Sequence, residues 1–128
     1  MLENYIKELS AEMELDAPLP EHSPGVFALT LDDDIVILMS KISDGIAFTC
    51  QAAPCPKMKK GDFLASMMLA NLFGQGTFNA VLGLNESSDT IVITRHVDHK
   101  INYKEFTNLL EDFMNVVDFW REEALSKQ

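Results

Sequence analysis

From Phe63 to Phe78 the chain reads FLASMMLANLFGQGTF without one charged residue, although 23% of its 128 residues are charged. Placed around a helix at about 100° per residue, Leu64, Ala65, Met67, Met68, Leu69, Ala70, Leu72 and Phe73 cover nearly the whole circle, and only Ser66 and Asn71 interrupt them. A helix lying on one sheet needs a single apolar stripe; one that is apolar all round has to be covered on both sides. A helix of about twelve residues is about 18 Å long, short of the roughly 30 Å of a bilayer core, so the stretch is not a membrane span. The GQG that follows leads into the strand-like TFNAVLGL, whereas a phosphate loop opens onto a helix N-terminus. The spacing predicts Asp62 as N-cap and Gly74 as C-cap of the helix. Its outer side is covered either by the rest of the same chain or by a second copy. A small domain has few elements to spare, and each Leu or Met covered contributes about 1.5–3 kcal/mol. The expectation is a homodimer with a seam of Leu64, Met67, Met68, Leu72 and Phe73; burial within the monomer is the alternative.

The rest of the chain supplies one domain, residues 1–128. Leu2, Tyr5, Ile6, Leu9 and Met13 recur at helical spacing with Glu3, Lys7, Glu8 and Glu12 opposite, predicting an amphipathic helix over residues 2–15. DAPLPEHSPG, with three prolines, breaks it. VFALTL (26–31), IVILMSKI (35–42) and IAFTCQAA (46–53) read as strands joined by the short links DDD and SDG, hence an antiparallel meander. The middle run is apolar on both alternating sets, Ile35, Ile37 and Met39 against Val36 and Leu38, as in a strand covered on both faces. TFNAVLGL (77–84) and TIVITRHV (90–97) form a second hairpin. Tyr103, Phe106, Leu110, Phe113, Val117 and Trp120 step by three and four along a last helix from Asn102 to about residue 125, opened by the capping pattern NYKE. The fold class is α+β in the order α-β-β-β-α-β-β-α: a twisted antiparallel sheet with packed helices.

Composition narrows the function. A net charge of −10 and a pI near 4.5 disfavour nucleic acid and anionic membrane surfaces as partners. Cys50 and Cys55 lack the spacing of a redox or zinc pair. His96, Asp98 and His99 in HVDH offer two close imidazoles, fewer than a metal site's ligands, and Ile37 stands where a calcium loop starting at Asp32 would need glycine. No serine-hydrolase, zinc-protease or P-loop motif occurs. No catalytic residue, metal or cofactor is expected. MLENYIKELSAEMEL, with acids among its apolar residues, does not read as a signal peptide, which points to the cytoplasm.

MMLANLFGQGTFNAVLGLNESSDTIVITRHV resembles the helix-to-hairpin segment of class I type III secretion chaperones, the CesT/SycE-like family, most of all its chlamydial members. LANLF (69–73), LGLN (82–85) and IVITR (91–95) carry most of the likeness, and NYKEFTNLLEDFMNVVDFWREE resembles the family's last helix. Asn85 and the SSD turn depart from the family's usual Asp and glycine. The resemblance implies a non-enzymatic homodimer in the bacterial cytoplasm. It would bind the N-terminal region of secreted effector proteins, several in number, in extended form and present them to a secretion ATPase and sorting platform. By element, it implies client-binding patches at Leu2, Tyr5, Ile6 and Leu9 of the first helix and Phe27 and Leu29 of the first strand run; core packing is the other reading of that helix. A structural adaptor of the same fold is the alternative function.

Overall fold

The computed structural model describes residues 2–14, 19–31, 35–73 and 77–127. The Asp32–Asp34 link, GQG and the C-cap expected at Gly74 lie outside them. Helix α1 (Leu2–Glu12) is followed by strands β1 (Glu21–Ser23), β2 (Val26–Leu31), β3 (Ile35–Ile42) and β4 (Gly45–Pro54). Then come helix α2 (Lys60–Phe73), strands β5 (Val81–Leu84) and β6 (Thr90–Val97), and helix α3 (Tyr103–Ser126). The strands form one antiparallel sheet in the order β1-β2-β3-β4-β6-β5. The architecture is the expected α+β one with two local differences. The proline-rich break contains the short strand β1. The predicted strand 77–84 begins only at Val81, because Phe78 and Asn79 turn the chain with φ of 49° and 66°.

The core lies on one side of the sheet. Strand alternation turns Ile37, Met39, Phe48, Ile91 and Ile93 inward, all fully buried. Helix α3 runs over the central strand β4, where Phe48 meets Phe106 and Phe113 with ring centroids 5.9 and 5.5 Å apart. Its start is fixed by a complete capping box: the Asn102 side chain accepts from the Glu105 N–H at 2.8 Å, and the Asn102 N–H donates back to the Glu105 carboxylate at 3.2 Å. Helix α1 is held beside it by Tyr5, whose ring packs on Tyr103 and Phe106 and whose hydroxyl donates to the Ile101 carbonyl. Helix α2 reaches the other end of α3 through an edge-on contact of Phe63 with Trp120, 5.9 Å between centroids. Asp62 is no N-cap: it sits inside the first turn of α2, where its charge complements the helix dipole. Gly45 begins β4 because any Cβ there would stand 1.5 Å from the Val97 carbonyl oxygen of β6.

Candidate protein-interaction surfaces

Helix α2 divides the residues expected at a seam. Phe63 and Met67 point into the core, Met67 with only 3% of its surface exposed, and Leu64 packs half-buried against that core. Met67 is therefore not a seam residue: it stands one turn after Phe63 on the sheet-facing stripe. Met68 and Leu72 face outward, 72% and 64% exposed, and so does Leu69 at 71%. The side chain of Phe73 lies outside the described residues. Phe78, in the turn before β5, and Val81, at its start, are also exposed. Leu69 belongs to the face although the expected seam omitted it; its place in the charge-free run was the available signal.

Of the residues expected in a client patch, four are buried and two half-buried. Leu2, Ile6 and Leu9 are buried on the stripe by which α1 packs on the core. Tyr5 is half-buried in the aromatic contacts just described. Leu29 pairs with Ile37 and is buried, while Phe27 pairs with Met39 and packs half-buried against the core. Odd-numbered positions of β2 alternate inward, so its outward set is Val26, Ala28 and Thr30.

That outward set belongs to a second surface, the side of the sheet opposite the helices. The registers align Ala28, Leu38, Thr49, Thr94 and Val81 in one row across β2, β3, β4, β6 and β5. A neighbouring row runs Val26, Ser40, Ala47 and His96. On the other flank lie Thr30 paired with Val36, and Gln51 paired with Val92, which in turn pairs with Gly83. None of these side chains is Asp, Glu, Lys or Arg. The charged residues of the inner strands, Lys41 and Arg95, fall on the opposite alternating set, across from Ile46 and Phe48. Val36 is exposed and Leu38, Thr49 and Val92 are half-buried around a shallow hollow of about 450 Å³, with His22 at its side. The middle strand is thus covered by helices on one face only. Its second apolar set, Val36 and Leu38, was the sequence's sign of this surface.

Other polar groups serve the fold. Burial pushes the Cys50 thiol up to about 11, against the opposing pull of Arg121, so it stays protonated at neutral pH. Asp89 is held below the usual carboxylate range by hydrogen bonds from Asn85 and Thr90 in the β5–β6 turn. The Asn85 side chain also accepts from the Asp89 and Thr90 N–H groups, closing the turn. Asp98 lies 3.6 Å from His99 at an exposed corner. Among the described residues no three metal-ligating side chains come together, and no helix is long and apolar enough to cross a membrane.

A family model for the Tir chaperone protein (CesT) family matches residues 4–121. The chain belongs to this family. The Chlamydia pneumoniae protein CPj0713/CpB0740 is 27% identical to it over 132 residues, with both chains covered in full. Solved structures share the fold of this CesT-family chain. A chain of the ExsC–ExsE complex matches at a TM-score of 0.75 and 12% identity, covering 96% of this chain and 92% of that one. A chain of the HopA1–SchA chaperone–effector complex matches at 0.72 and 15%, covering 94% and 93%. The structure of the Yersinia pestis type III secretion chaperone SycH with a fragment of YscM2 matches at 0.68 and 17%, covering 98% of each chain.

Proposed function

We propose that this CesT-family chain is a homodimeric type III secretion chaperone of the bacterial cytoplasm, without catalytic activity. It holds the N-terminal region of secreted effector proteins in extended form and hands them to the secretion ATPase and sorting platform. The observation that carries this is the uncharged, helix-free face of the sheet. An extended chain can satisfy its own backbone groups along a sheet edge, where its alternate side chains fall on the same side as this face and extend it. Backbone bonds carry little sequence information, which suits a chaperone of several clients. The chaperone–effector complexes among structures of the same fold support the same reading.

The dimer is supported by α2. Leaving Met68, Leu69 and Leu72 in water forgoes about 1.5–3 kcal/mol for each, and a two-fold seam counts every such residue twice. The seam proposed is Met68, Leu69 and Leu72, with Leu64 at its margin.

Co-expression with candidate secreted substrates, followed by limited proteolysis, tests the function. The expected product is a stable complex in which a segment from the client's N-terminal region survives digestion. Capture of folded scaffold proteins only, with no N-terminal segment protected, would instead establish a structural adaptor.

A further inference from the structure

The sheet ends in two unlike edges. At one end β1 has three residues, all exposed, and among the described residues no side chain bonds their backbone. At the other end β5 is met by Asn71, one of only two polar residues between Phe63 and Phe73 of α2. The Leu82 N–H donates to the Asn71 Oδ1 at 2.8 Å, and the Asn71 Nδ2 donates to the Leu82 carbonyl, also at 2.8 Å. Leu82 stands opposite Ile93 of β6, in an antiparallel position whose backbone groups turn away from that neighbour. The amide of Asn71 therefore makes the two bonds that the next strand would make. Asparagine is a poor residue for a helix interior, and its local alternatives are not used here: both polar atoms are spent on the strand.

We propose that Asn71 closes the β5 edge to strand addition and so decides which end of the sheet can accept an extended chain, leaving the β1 end as the open one. An incoming strand at β5 would have to break both amide bonds before making its own. An unguarded edge is a template for any extended segment, including one from another copy. The same pair of bonds ties α2 to β5, so the outward Met68 and Leu72 are held in a fixed position relative to the sheet. The consequence for clients rests on the reading that this chain takes them in extended form; the closure itself does not.

The test compares the full-length protein with Asn71→Leu, which keeps bulk, and Asn71→Ser, which keeps a polar group too short to reach. Near-UV circular dichroism confirms that each variant is folded. Amide hydrogen exchange at Leu82 is expected to be at least roughly tenfold faster in both, since the bond protecting it is gone. A synthetic peptide of residues 90–97 carrying a photo-crosslinker, chosen because that sequence pairs with β5 in the native sheet, is expected to label residues 81–84 in the variants and not in the wild type. Unchanged protection of Leu82, labelling of β5 in the wild type, or an unprotected edge that still takes no peptide overturns the proposal. Neither arm uses a client, so failure here leaves the chaperone reading standing, and a chain that holds no effector leaves the closure standing.

Discussion

The two uncharged surfaces differ in the kind of contact they can make. The outer side of α2 carries long, flexible side chains standing well clear of the backbone, Met68, Leu69 and Leu72. The open side of the sheet is broad and low, built of Val, Thr, Ala and Ser with Leu38 at its centre. Projecting aliphatic groups bury much area each and repack easily, which suits a permanent seam. A sheet face of small side chains gives less energy per residue and spreads it over a wide area, which suits a partner that must be held along its length and later released. On the proposed function, self-association and client holding fall to different element types.

Substitution can break this separation. The largest effect is expected from Met68→Glu: two copies each place an unpaired charge in the seam, the dimer constant weakens by more than about 100-fold, or about 2.7 kcal/mol, and light scattering finds a monomer that still melts cooperatively. Next comes the neighbouring methionine. Met67→Ala removes a core side chain and is expected to lower the unfolding free energy by about 2 kcal/mol in urea titration, whereas Met68→Ala shifts it little when measured on the monomer. Equal effects of the two alanines on folding would dissolve the assignment of the helix faces. Leu38→Lys is expected to weaken client binding by roughly tenfold in calorimetry and leave the dimer mass unchanged. A loss of dimer instead would join the two surfaces into one. The smallest effect concerns the inner side of β4. The Cys50 thiol is raised from 9.0 to about 11, so the folded state holds its proton more tightly than the unfolded state. This contribution to stability is full below pH 9 and is lost as pH rises through about 11. Comparing the alkaline slope of Cys50→Ala with that of the wild type isolates this contribution.

Much of this was legible in the sequence because burial imposes a period. The stripe of α3, the capping box at Asn102 and the strand runs 26–31, 35–42 and 90–97 all follow from periodicity or local hydrogen bonding, and the structure has them. The surfaces were harder to place. An apolar residue looks the same in sequence whether it covers the chain's own core or waits for a partner. Leu2, Ile6, Leu9 and Leu29 therefore passed for patch residues while they are core, and Met67 passed for seam. In β2 and β3 the inward parity is fixed by pairing across the sheet, which local pattern does not carry: Val36 and Leu38 are as apolar as Ile35 and Ile37. Asn71 stood out as an interruption in the run, but its role depends on Leu82, eleven positions away, arriving beside it.

In solution, a net charge of −10 on a molecule whose outward rows of β2 to β6 carry no Asp, Glu, Lys or Arg makes its described part an anisotropic colloid. Repulsion opposes encounters through the acidic helix surfaces and loops, while the broad neutral side presents no such barrier, so an acidic partner is turned before it touches. Acidification toward the pI near 4.5 removes that steering. Collisions then lose their preferred orientation, and the loss of net charge favours association.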